Sequence, residues 1–253
     1  LIREIICSID PMNKRKSNFK TLLTKEIYYH YLITPLGLIF AGLFFLVSTW
    51  LFFQDFFLIN QASLAPFFNL LPFLFLFFLP AITMNLFAEE KKSRTWEILL
   101  TLPTKEGAVV GAKFLAAFIF TTFTILLTFP LLITLKLLGY PDWGIIVSSY
   151  LGTMLLAASY IAAGLFFSSL TNNSIIALLT SIFFLLVNFF LGQEIVLSRL
   201  PTALSNIVAF LSLNFRYQFF IEGNIFLSSL VFYLSWITVF IWLTIVSLKS
   251  RDY

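Results

Sequence analysis

Charge is what this chain has least of: 11% of its 253 residues are Asp, Glu, Lys or Arg, while 60% are hydrophobic. That balance excludes an ordinary soluble domain, whose surface carries about twice as much charge. A single cysteine, Cys7, excludes an intramolecular disulfide. With only one histidine, His30, the chain also lacks the ligands for a zinc or bis-histidine haem site of its own. His30 stands among Tyr28, Tyr29 and Tyr31 and reads as an interfacial side chain. No G-x-x-x-x-G-K-[ST] loop is present, so ATP-driven work requires a separate subunit. The long apolar runs hold almost no ionisable groups, which disfavours an ion or proton pathway. The exception, Lys113, lies about two turns into a run and is expected to snorkel to the surface.

What the chain has in excess is phenylalanine, 33 in all, and unbroken apolar sequence. About 20 apolar residues cross a hydrocarbon core of about 30 Å as a helix. Six such runs lie near residues 36–53, 64–88, 107–135, 143–170, 174–192 and 225–248. The fourth and fifth meet at Thr171-Asn172-Asn173-Ser174, a tight hairpin. The expected fold is therefore all-α and polytopic, one six-span domain over 36–248, preceded by a tail and interfacial helix (1–35) and followed by a short tail (249–253). In the first of these, Phe19, Leu22, Leu23, Ile27 and Tyr31 recur at helical spacing, with Lys20, Lys25 and Glu26 elsewhere on the wheel, so the helix should lie flat on the membrane. Pro35 then marks the turn into the first span. Met12-Asn13-Lys14-Arg15-Lys16 reads as a natural beginning, so residues 1–11 are expected to be an upstream extension, with no signal-peptide pattern behind them.

Pro66, Pro72 and Pro80 should kink the second span and free carbonyls for neighbouring helices to satisfy. In the fourth, Gly152, Ala158, Ser159, Ala162, Ala163 and Gly164 carry small-xxx-small spacings that favour close helix contact, within the chain before between subunits. Most phenylalanines read as lipid-facing. The stretch 193–224 mixes Glu194, Arg199, Arg216 and Glu222 with apolar segments too short to cross the bilayer, as a re-entrant or interfacial segment would.

Lysine and arginine fix the orientation. The N-terminal segment holds Arg3, Lys14, Arg15, Lys16, Lys20 and Lys25, the loop before the third span Lys91, Lys92, Arg94 and Lys105, and the tail Lys249 and Arg251. Only Lys136, Arg199 and Arg216 fall on the opposite side. Both termini should be cytoplasmic and 193–224 external. The same bias accounts for the net charge of +4 without a nucleic-acid partner.

The densest charge in the chain is Glu89-Glu90-Lys91-Lys92-Ser93-Arg94, which runs on to Pro103. At 100° per residue Glu90, Arg94, Glu97 and Thr101 share one face, while Trp96, Leu99, Leu100 and Pro103 form an apolar stripe. Residues 89–103 thus read as an amphipathic helix on the cytoplasmic surface, one face against the membrane domain and one toward a soluble partner. Glu89-Glu90-x-x-x-Arg94 also matches the E-E-x-x-x-R pattern of membrane-embedded CAAX-type proteases, but those need histidines from later spans and none follows His30.

Phe87-Ala88-Glu89-Glu90-Lys91-Lys92, leading through Thr95-x-Glu97-x-Leu99-Leu100-x-x-Pro103 to Gly111-x-Lys113, resembles the ABC-2 type permeases. The likeness covers most of residues 17–248 and is nearest to the gliding-motility-associated permease subunit. The family often has glycine where this chain has Arg94. The resemblance implies a type V exporter-like fold in a bacterial cytoplasmic membrane and a second permease, identical or not. It further implies two cytoplasmic ATPase subunits that bind the ATP, with no cofactor or catalytic site in this chain. Glu89, Glu90, Arg94, Glu97, Leu100 and Pro103 would belong to the helix that couples the permease to its ATPase. An ion-coupled secondary transporter and the protease are the alternative readings.

Overall fold

A computed structural model describes residues 23, 24, 26, 27, 31, 35–59, 64–93, 106–138, 142–199 and 201–249. Arg94, Glu97, Leu100 and Pro103, most of the expected surface helix, and His30 lie outside them. The described residues are helical, and six helical segments are long and apolar enough to span a membrane: Gly37–Gln54, Ala65–Lys92, Glu106–Leu137, Trp143–Leu170, Ser174–Leu191 and Leu227–Lys249. We number them spans one to six. Their limits follow the apolar runs closely, because every backbone polar group in a bilayer must be paired within its own helix.

Span four is the axis of the bundle. It packs against spans two, three, five and six, and against the short helix Leu213–Ile221. Two-thirds of it (67%) is buried inside the chain, against 17% for span five and 22% for span six, whose outer faces are left for lipid. Its small residues make this possible. Ala158, Ser159, Ala162 and Ala163 are all buried within the chain, so the small-xxx-small pairs serve internal packing. At Gly164 a Cβ would stand 2.2 Å from Thr83 Oγ1 on span two, and at Gly152 one would stand 2.5 Å from Phe220 Cβ. Only glycine admits those approaches. The phenylalanines divide between two uses. Phe73, Phe77, Phe123 and Phe183 face outward as expected, whereas Phe67, Phe68, Phe75 and Phe87 are core.

The proline carbonyls behave as the sequence requires. Pro72 has no N–H to offer the carbonyl of Phe68, four residues earlier. That carbonyl instead accepts from the Tyr217 hydroxyl at 3.1 Å, which also pairs with Thr153 Oγ1 at 2.8 Å. Span three, expected to be continuous, is interrupted between its helices Glu106–Leu126 and Pro130–Leu138. Pro130 opens the second helix, and the Thr128 hydroxyl beside the interruption meets the Tyr150 hydroxyl at 3.1 Å. In the 193–224 stretch lie helices Glu194–Leu197, Thr202–Leu211 and Leu213–Ile221. The last is buried against spans two, four and five, where the Phe220 carbonyl accepts from Ser148 Oγ of span four at 2.5 Å, and its Leu213 carbonyl accepts from the Tyr233 hydroxyl of span six at 2.8 Å.

Candidate functional site

Charge gathers at the opposite end of the bundle, where spans two, four and six finish and span three begins. Lys113 is fully buried there, at 0% exposure. It does not snorkel, contrary to the expectation from its depth. Its Nζ lies 2.8 Å from Glu90 Oε1 and 3.3 Å from Glu26 Oε1, and 5.2 Å from the centroid of the Phe87 ring. Two carboxylates brought to it from other elements make burial cheaper than reaching for water. The triad joins three pieces of chain: the segment before span one, the end of span two and the start of span three. Tyr31, five residues after Glu26, is buried and stacks on Phe120 of span three at 4.7 Å, which seats the same segment by a second contact. Burial, with the Glu26 charge adding to it, pushes the Tyr31 hydroxyl far above its ordinary value, so it is a neutral phenol.

Span two reaches this site through a joint. Its helices Ala65–Thr83 and Asn85–Lys92 are separated by a turn at Met84. Ser168 of span four inserts at this turn. The serine hydroxyl donates to the Met84 carbonyl at 2.8 Å and accepts from the backbone N–H groups of Phe87 at 3.1 Å and Ala88 at 3.3 Å. A side chain inserted into the ladder is a recognised cause of helix bending. Just beyond, Lys91 Nζ donates to the carbonyl of Ser169, placing a cation on the free carbonyl end of span four. Glu106 in the first turn of span three and Lys249 in the last turn of span six meet at 4.0 Å, each at the helix end its sign favours.

The described part of the expected surface helix is therefore the end of span two, which stops at Lys92. Glu89 is exposed, but Glu90 turns inward to Lys113, away from the water-facing position the 100° projection gave it. The two glutamates diverge, unlike a pair converging on one substrate atom. Glu26, absent from the site residues expected from sequence, belongs to the site. Its only signal was an acidic residue within an amphipathic segment, with an unexplained lysine in a distant apolar run.

Such a bundle, with a buried central helix and an ion-paired end that gathers three parts of the chain, defines a polytopic helical membrane protein. The profile described as ABC-2 family transporter protein matches residues 52–253. The chain belongs to that family, whose permeases are the membrane components of transporters and associate with an ABC ATPase subunit. Comparison with curated proteins finds no match.

Proposed function

We propose that the chain is the transmembrane subunit of an ATP-driven exporter in a bacterial cytoplasmic membrane. Both termini face the cytoplasm, a second permease completes the membrane unit, and separate ABC ATPases bind and hydrolyse the ATP. The observation that carries this reading is the Glu26–Lys113–Glu90 triad. A buried ion triad binding the surface segment to spans two and three makes one rigid body of the elements flanking residues 94–105. Force applied to that loop reaches the spans directly. Glu89, Arg94 and Glu97 contact the ATPase, Leu100 and Pro103 rest on the membrane domain, and Glu90 anchors the element from within. Nucleotide binding at the partner then tilts this body and alternates access to a path between the permeases, one bistable element serving both sites. The Glu89 to Pro103 motif supports placement in the branch that includes gliding-motility-associated permeases.

The test is reconstitution with candidate P-loop ATPases in proteoliposomes. A stable complex should form, with transport dependent on ATP hydrolysis. The double variant Arg94→Glu, Glu97→Lys should insert normally yet bind the ATPase at least tenfold more weakly, since losing one partner of a desolvated charge pair costs about 2–5 kcal/mol. Transport on an ion gradient with no ATPase bound would overturn the proposal, as would a double variant that binds and transports like the wild type.

A further inference from the structure

The opposite end of the bundle holds another cation in apolar surroundings. Arg216, on helix Leu213–Ile221, is 8% exposed. Its guanidinium carbon lies 4.6 Å from the ring centroid of Phe210 and 4.4 Å from that of Phe232, and Nε donates to the Phe210 carbonyl at 3.3 Å. These contacts fix the plane of the guanidinium. No carboxylate among the described residues pairs with it, and its Nη groups have no acceptor among them. Most of its five donors are thus left for something else.

Arg216 lines a groove of about 670 Å³. Span six forms one wall, from Leu227 past Val231 and Trp236 to Phe240, and Phe210 and Leu211 form the other. Leu227, Val231 and Val239 are exposed, so the groove opens sideways, toward the space a bilayer fills. Arg216 meets span six at Phe232. From there to Phe240 the wall runs about 12 Å at 1.5 Å per residue, close to the ~15 Å half-thickness of a hydrocarbon core.

A cation without a counter-ion in apolar surroundings is costly unless an anion joins it. The apolar trough beside it suits an acyl chain. We infer that the groove binds an anionic phospholipid, its headgroup phosphate on the Arg216 Nη groups and one chain laid along span six. The site is independent of which ATPase drives the transporter.

Trp236 in the groove wall gives the readout. A full-length chain with Trp50, Trp96, Trp143 and Trp242 replaced by Phe is reconstituted into phosphatidylcholine vesicles. Brominated phosphatidylglycerol or brominated phosphatidylcholine then titrates the Trp236 fluorescence. The anionic lipid should quench at about fivefold lower mole fraction, the factor expected of one cation at a membrane surface. Arg216→Gln should abolish that difference, Arg216→Lys should keep part of it, and Arg199→Gln, at an exposed site, should leave it intact. Ser235→Phe, which fills the trough, should weaken the preference while sparing Arg216. Should Arg216→Gln fail to fold, the Arg216→Lys and Ser235→Phe results decide. Equal quenching by both lipids would overturn the inference, as would a preference that survives Arg216→Gln or is removed equally by inorganic phosphate. So would absence of quenching by either lipid, the result expected if a second copy of the chain covers the groove.

Discussion

Replacing Lys113 with methionine keeps the length of an unbranched side chain and removes its charge. What remains is two carboxylates, Glu26 and Glu90, whose mutual repulsion the lysine had offset from within. At an effective dielectric of about 20, a unit pair near 3 Å attracts by about 5 kcal/mol. The cost of desolvating the ions consumes part of each attraction, and removing one partner of a buried pair typically costs about 3–5 kcal/mol. At about 2–4 °C per kcal/mol for a chain of this size, the melting temperature in detergent should fall by about 6–20 °C. The triple variant Glu26→Gln, Lys113→Met, Glu90→Gln has no uncompensated charge and should recover at least half of the loss. Dye-reported thermal unfolding, with size-exclusion chromatography to confirm a monodisperse start, measures both. If Lys113→Met melts within about 2 °C of the wild type, the triad contributes no net stability, and the rigid body proposed to flank residues 94–105 has no physical basis.

Tyr217→Phe should cost about 1–3 kcal/mol by stranding the Phe68 carbonyl that Pro72 leaves unpaired. In a Pro72→Leu background the cost should shrink by at least about 0.5 kcal/mol, and a double-mutant cycle showing no coupling would refute the link. Gly164→Ala should cost about 1–3 kcal/mol in thermal unfolding by forcing spans two and four apart, and Thr83→Ala should restore part of it by removing the oxygen in the way. If the alanine variant is as stable as wild type, the contact is looser than drawn. Single cysteines at Ser93 and Ser205, in a Cys7→Ser background, should react with an impermeant thiol reagent in intact cells at Ser205 only. Labelling at Ser93 alone would reverse the orientation.

The spans were legible because length and apolarity alone decide what can cross a bilayer, and the limits of Trp143–Leu170 and Ser174–Leu191 lie within a residue of the apolar runs. Pro72 was legible for a related reason: a missing donor is a property of the residue, and somewhere a neighbour must answer it. Pro130 carries the same signal, a missing donor where span three breaks. The Lys113 triad was hidden because helical projection ranks residues by their own neighbours along the chain. Glu90 belongs by projection with Arg94, yet a buried cation on another helix outweighs a surface pairing worth a few tenths of a kcal/mol. Arg216 is legible in the sequence as an orienting charge and not as a binding group, since nothing there says that two aromatic rings will close around it.

The Ser168 hydroxyl has a mechanical consequence. An ordinary helix can flex sharply only by tearing a backbone bond and leaving its ends bare in hydrocarbon, a cost of several kcal/mol. In span two, at the turn at Met84, the backbone is already served by an oxygen that gives and receives at once, and that oxygen belongs to the neighbouring helix. Asn85 to Lys92, eight residues tied to span three through Glu90 and Lys113, can therefore turn about this pivot only as one body with the start of span three. Lys91, tied to the end of span four, limits the arc. The helix end that carries Glu89 and Glu90 is hung as a short oar on a fixed rowlock, so under the coupling proposed above a modest push at the membrane surface would be delivered to the bundle as rotation instead of being spent on breaking structure.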